Sequence, residues 1–145
     1  MKLLIIFLFT SFSALAQSEK AIKLNVESMD MKLAGPGGVW SEWGEFGKQN
    51  QSIEDHTLTI NFTNKTITTD FKLKEAEREF HSFKIISFSH DQSYEDVGFY
   101  TTSINVDEGN GVIKRYLLAY NSCDKQYRLI TYSDKVRTRY LLKEL

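Results

Sequence analysis

The chain has 145 residues, 26% of them charged and 41% hydrophobic, and a formal net charge of −1. Near-neutrality excludes the strong basic field that draws a protein to nucleic acid or an anionic membrane. The single cysteine, Cys123, excludes an internal disulfide, so a packed core alone must hold the fold.

Residues 1–16 read MKLLIIFLFTSFSALA. Lys2 supplies a positive start, Leu3 opens an apolar run, and Ala14-Leu15-Ala16 is a small-x-small cleavage pattern. This predicts a secretory signal peptide cut before Gln17 or within a residue of it. The run is shorter than the ~20 residues of a transmembrane helix. Gln17 stands where a lipoprotein precursor carries cysteine. The expectation is an exported protein, periplasmic or secreted, with no membrane insertion after cleavage. An exported domain of this size without a bridge fits a bacterial source. Residues 17–145 then form a single β domain with 17 basic and 19 acidic residues, since Lys2 is the only charge removed. Asn50, Asn61 and Asn64 match the glycosylation pattern and are read as chance matches.

Residues 21–28 alternate through Ile22, Leu24 and Val26 and predict a first strand. Residues 29–33 extend it or form a loose turn. Met29 and Leu33 would share one face of a helix, but the period of two favours the strand. Gly35-Pro36-Gly37-Gly38 is the one decisive break. Trp40, Trp43 and Phe46 then recur every third residue, which is not strand spacing. Part of this segment is expected to be a strand with a bend or bulge near Gly44. Its tryptophans either plug one end of a β core or form a platform for a flat ligand. Residues 48–55 are polar and predict a loop.

The most regular stretch is 57–71, TLTINFTNKTITTDF. With Asn64-Lys65 as a two-residue turn, Phe62 faces Ile67, Ile60 faces Thr69 and Leu58 faces Phe71. Asn61 meets Thr68 and Thr59 meets Asp70 on the other face. One face is nearly all apolar and the other polar, as a hairpin with one buried side requires. Residues 72–79, KLKEAERE, are good helix formers, with Leu73, Ala76 and Phe80 on one face. They predict a short helix or helical turn. Residues 80–89 read as a strand with a fault: Phe83 and Ile85 share one parity, Ile86 and Phe88 the other. Either both faces are covered or a bulge re-phases it.

Residues 97–106 and 112–120 form a second hairpin of ambiguous register. A Gly-Asn tip pairs Val106 with Ile113, whereas a five-residue loop pairs Val106 with Val112. The last hairpin is clearer. With Asp134-Lys135 at its tip, Thr131 faces Thr138, Leu129 faces Tyr140 and Tyr127 faces Leu142. Tyr132 with Arg137, Ile130 with Arg139 and Arg128 with Leu141 make the opposite face. The fold class is all-β: an antiparallel meander of about eight strands closing into a barrel, with a β-sandwich as the alternative. It carries at most one short helix near residues 73–79.

Motif chemistry is sparse. His56, His81 and His90 lie on separate segments without ligand spacing and read as surface histidines. Asp91, Glu95 and Asp96 cluster in one loop, and Asp107, Glu108 and Asn110 in another. Neither fits a calcium loop, and turn chemistry explains both. No nucleophile elbow or phosphate loop is present. Cys123 is either a buried small hydrophobe or an exposed turn thiol. No catalytic residue, cofactor or metal ligand is assigned. The outer face of the last hairpin sets Arg128, Arg137 and Arg139 around Tyr132. Guanidinium groups beside a ring suit an acidic group; the alternative is an exposed face whose arginines pair with acids elsewhere. Together with Trp40 and Trp43 these residues are the expected ligand site. A register slip of one would turn the arginines inward as anchors.

Gly38-Val39-Trp40, followed by a strand meander and a late Arg137, resembles the Gly-x-Trp signature of the lipocalin-like (calycin) barrels. The resemblance implies a ligand cavity in a closed barrel, with Trp40 closing its base against Arg137 or Arg139. The chain is shorter than those barrels and lacks their usual C-terminal helix. It is also similar in style to small exported bacterial β proteins.

The resulting expectation is an exported, non-enzymatic binding module for a small apolar, amphipathic or acidic ligand, or for a partner surface. One rival is an envelope structural protein that joins a partner through a free sheet edge. Another is a hydrolase or isomerase using acids such as Asp91 or Asp96 at a barrel mouth. An apolar cavity supports the first; a filled interior with both tryptophans packed removes it.

Overall fold

Alternating inner and outer side chains carry the chain around a closed antiparallel barrel. The computed structural model describes residues 21–45, 53–91, 93–94 and 97–145. The expected signal peptide, Phe46, residues 48–52, Glu95 and Asp96 lie outside the described residues. The strands are β1 (Ile22–Leu33), β2 (Gly44–Glu45), β3 (Ile53–Asn61), β4 (Thr66–Leu73), β5 (Arg78–Asp91), β6 (Phe99–Asp107), β7 (Ile113–Asn121), β8 (Gln126–Tyr132) and β9 (Val136–Glu144). Strands β1 and β3 to β9 pair in sequence, and β1 also pairs with β9, so eight strands close the barrel. The short β2 pairs with Asp30 and Met31 of β1. The architecture is the expected barrel, and the sandwich is excluded.

The last hairpin has the expected register. Tyr132 opposes Arg137, Thr131 opposes Thr138 and Tyr127 opposes Leu142. The hairpin of 57–71 is correct in faces but displaced by two residues. Ile60 opposes Ile67, Leu58 opposes Thr69 and His56 opposes Phe71. Residues 62–65 form a four-residue turn instead of a two-residue one. Asn64 N donates to Asn61 Oδ1 at 2.8 Å, and Lys65, not Asn64, takes the left-handed conformation at φ 54°. That bond closes the turn one step early and releases Phe62, whose ring packs 4.7 Å from Phe88.

The 97–120 hairpin takes neither expected register. Asp107 opposes Ile113 and Val106 opposes Lys114. Two side-chain bonds set the intervening loop: Gly109 N donates to Asp107 Oδ1 at 2.8 Å, and Val112 N donates to Asn110 Oδ1 at 3.0 Å. The fault in β5 is a bulge. Ile85 opposes Val106 and Ser87 opposes Asn105, leaving Ile86 unopposed. The bulge returns Phe88 and His90 to the inner face, opposite Ile104 and Thr102. Residues 72–79 form no helix. β4 runs to Leu73, Ala76 N donates to Leu73 O at 3.4 Å, and β5 starts at Arg78. Strand pairing on both sides of a short turn overrides helix propensity there. Residues 29–33 extend β1, as the period of two favours.

The core is built from the inner positions. Leu24, Ile60, Ile67, Ile85, Ile104, Val106, Leu118 and Leu142 are each fully buried. Burial of such side chains stabilises by about 1.5–3 kcal/mol each relative to exposure. At one end of the barrel Phe62, Phe88 and His90 gather on one side, and Tyr100, Tyr120 and Tyr127 on the other. His90 Nδ1 is hydrogen-bonded at 2.7 Å to Oγ1 of Thr102, the one buried polar residue among the described residues.

The other end is built differently. β1 pairs with β3 only from Ile22↔Ile60 to Asn25↔Thr57. β5 pairs with β6 only from Lys84 onward. The first residues of β3, the end of β4 and the first half of β5 therefore run past their outer neighbours. This end, ringed by the turns after β1, β4, β6 and β8, holds the mouth of the interior.

A cavity at the open end of the barrel

The inner side chains at the mouth leave a cavity of about 550 Å³. Leu58, Ile67 and Leu129 of the core form its floor. Its walls combine rings with a polar group. His56 on β3, Phe71 on β4, and His81 and Phe83 on β5 line one side. Each has the inner parity: His56 precedes Leu58 by two, Phe71 follows Thr69 by two, and His81 precedes Phe83 by two.

Lys114 and Tyr116 of β7 face them across the barrel, since four strand steps of eight separate β7 from β3. Lys114 Nζ donates to Glu108 Oε2 at 2.5 Å, and Tyr116 Oη donates to Glu108 Oε1. Both oxygens of this loop carboxylate are thus engaged. Such a pair, half-withdrawn from water, holds its geometry better than an exposed ion pair.

The electrostatics follow from burial. Desolvation pushes His56 below its ordinary value, against the raising effects of Asp55 and Asp70. Burial first, then the Glu108 bond, pushes Tyr116 far above the ordinary phenol value. Tyr140, also on the wall, is raised by burial and by Glu108. At the mouth, burial thus favours the uncharged forms of His56, Tyr116 and Tyr140 beside the compact Lys114–Glu108 ion pair.

A smaller space of about 160 Å³ lies where β1 and β3 part, between Glu54, Asp55 and His56 on one side and residues 25–29 on the other. On the outer face here, Arg78 bridges Asp55 at 2.9 Å and Asp70 at 2.7 Å. That clamp ties β3, β4 and β5 where pairing to their outer neighbours is lost.

The expected site residues lie elsewhere. Trp40, Trp43, Tyr132, Arg137 and Arg139 come together on the outer face of β8, β9 and β1, while Arg128 stands apart, opposite Leu141 and Ala119. The Arg137 guanidinium lies 4.1 Å over the Trp40 ring and 5.4 Å over Tyr132. The Arg139 guanidinium lies 4.6 Å over Trp43, and its Nη2 bonds Asp30 at 2.5 Å. These arginines face outward and are occupied by rings and by Asp30. Trp40 does stack on Arg137, but beside the mouth on the outer surface, not closing a base. The strap holding it is pinned where Ala34 N donates to Lys135 O at 2.9 Å and Ala34 bridges Trp40. Of the six residues, Tyr132 alone borders the cavity.

Among the acids, Asp91 lies at the opposite end from the cavity and accepts from Ser93 N and Oγ. Cys123 is exposed in the β7–β8 turn. His56 and His90 are half-buried inner residues rather than surface histidines. The signal for His56 and His81 was present in the alternation, since each shares parity with core neighbours. Glu108 carried no such signal, because a loop residue has no parity.

Fold and site together define an eight-stranded antiparallel barrel, packed at one end and hollowed at the other into a cavity of mixed character. No protein-family model, curated protein or solved structure matches the chain.

Proposed function

We propose that the protein is an exported binding module that holds a small amphipathic molecule in the hollow end of its barrel. One observation carries this reading: a cavity of about 550 Å³ with an apolar floor and an anchored polar group near its mouth. Small-molecule sites typically span about 300–1,000 Å³ and combine these features. Eight-stranded barrels have interiors wide enough for side chains or one small ligand. Engagement of both Glu108 oxygens suits anchoring a ligand more than shuttling a proton. The sequence of residues 1–16 supports action outside the cytoplasm.

The test is native mass spectrometry of protein purified from its own host. A bound mass that is released on denaturation is expected. A bare polypeptide mass, together with no small-molecule uptake by the refolded protein, would overturn the reading.

A further inference from the structure

The cavity has two unlike walls, and together they specify a class of ligand. The first wall is a run of five rings. Phe83 and His81 stand 6.3 Å apart with planes 3° from parallel. His81 and Phe71 are 5.9 Å apart and 29° from parallel. Phe71 continues to His56 at 5.6 Å, and His56 meets Tyr140 edge-on at 6.1 Å. The run crosses the gap where β1 and β3 no longer pair, and so wraps much of the mouth. A bank of rings rewards a flat π-system through offset or edge-to-face contact, beyond the area it buries. An alkyl chain gains only the area.

The second wall is the Lys114–Glu108–Tyr116 group on the far side. An ammonium has three donors, and one of Lys114's goes to Glu108. The remaining donors face a ligand that brings an oxygen acceptor. Glu108 itself is taken on both oxygens, so it offers a cationic head no free oxygen. Burial favours the neutral form of His56, so that ring is a packing surface instead of a competing cation.

Resting on the binding role proposed above, we infer that the ligand is a flat, fused-ring or aromatic molecule carrying a carboxylate, phenolic or carbonyl oxygen, with the rings against His81, Phe71 and His56 and the oxygen toward Lys114.

Calorimetric titration of the wild-type protein with matched probes tests this. 2-Naphthoate and undecanoate share a carboxylate and a carbon count and differ in flatness. 2-Naphthoate and (2-naphthyl)methylammonium share the ring and differ in head-group charge. Naphthoate is expected to bind about threefold to tenfold more tightly than undecanoate, and more tightly than the ammonium. In Phe71→Leu, which keeps an apolar wall, the preference over undecanoate is expected to shrink while undecanoate still binds. Equal or tighter binding of undecanoate to wild type overturns the ring assignment and leaves the binding role standing. Tighter binding of the ammonium overturns the acceptor-head assignment. Binding of none of the three overturns the inference together with the role it rests on. The wild-type comparisons decide the matter even where the variant fails to fold.

Discussion

At the scale of single residues, the charged and titratable groups inside the mouth carry the most specific consequences. Tyr116 is 5% exposed and donates to Glu108. Replacing it with Phe removes a bond to a charged partner, and a loss of about 1.5–3 kcal/mol in urea unfolding is expected. An unchanged midpoint would show that the bond contributes nothing. Burial also holds Tyr127 up to about 12, and raises Tyr140. Absorbance at 295 nm should therefore show Tyr116 and Tyr127 still protonated at pH 11 in the native state. All 7 tyrosines should titrate together near 10 in denaturant. Because these folded values lie above the unfolded one, the phenols destabilise the fold as pH rises beyond 10. His56 works in the opposite direction. Its folded value is depressed below 6.5 by burial, so the unfolded chain takes up the proton first. The stability linked to it is full above 6.5 and is lost as pH falls through the depressed value. Comparing urea unfolding at pH 7.5 and 5, the acid-side loss should shrink in His56→Gln. A loss of the same size in both proteins would remove His56 as its source.

At the scale of elements, turns and bulges decide which side chains reach the interior. Inner and outer parity survives a displacement of two residues, which is why the 57–71 hairpin keeps its faces although its turn has four residues. Parity does not survive a bulge, and Ile86 in β5 is the case in point. If the same residues alternated without the bulge, Phe88 and His90 would share the outer parity of Ile86. One turn position has no tolerance at all. Gly98 sits at φ +76°, and a Cβ there would lie 2.2 Å from Ser122 Oγ. Its carbonyl also accepts from Ser122 N at 2.9 Å, joining the β5–β6 and β7–β8 turns. Gly98→Ala should cost at least about 1–3 kcal/mol from the backbone alone. Adding Ser122→Ala should recover part of the loss by removing the clash. Thermal unfolding that leaves Gly98→Ala at the wild-type midpoint would contradict both claims.

At the scale of the whole molecule, the barrel closes through its termini. β1 pairs with β9 from Leu24↔Glu144 to Leu33↔Val136, and a bulge between Val26 and Ser28 adjusts the seam. Leu145 N adds a bond to Lys23 O at 3.0 Å. The first described strand is therefore needed for closure, and under the export proposed above any cleavage must stop short of it. On that proposal, intact mass of the mature protein should place its N-terminus at Gln17 or within a residue of it, ahead of Ile22. A mature chain beginning beyond Ile22 would break the seam and contradict this account of closure. The cavity is also a whole-molecule property. It exists because β3, β4 and β5 outrun their outer neighbours at one end, while the rings of Phe62, Phe88, Tyr100, Tyr120 and Tyr127 gather at the other.

Local alternation of apolar and polar residues was enough to specify the centres of most strands, the antiparallel meander and the inner face of nearly every hairpin, but not the start of β3 at Ile53, read as loop, or of β5 at Arg78, read as helix. The reason is that a pleated strand facing one core repeats its environment every two residues. The last hairpin was legible in full because its turn residues allow one short connection. What lay beyond the sequence depended on partners far away in the chain. Loop registers around Asn61 and Asp107 depended on side-chain bonds to backbone N–H groups. The Ile86 bulge depended on β6, and the stacking of Arg137 on Trp40 depended on closure of β9 onto β1. Closure also decided the site. It drew the arginines into an outer clamp, and it brought His56, His81, Glu108 and Lys114 from four separate segments to one mouth. No linear spacing encodes that meeting, because it follows from how many strands close the barrel and where each one stops.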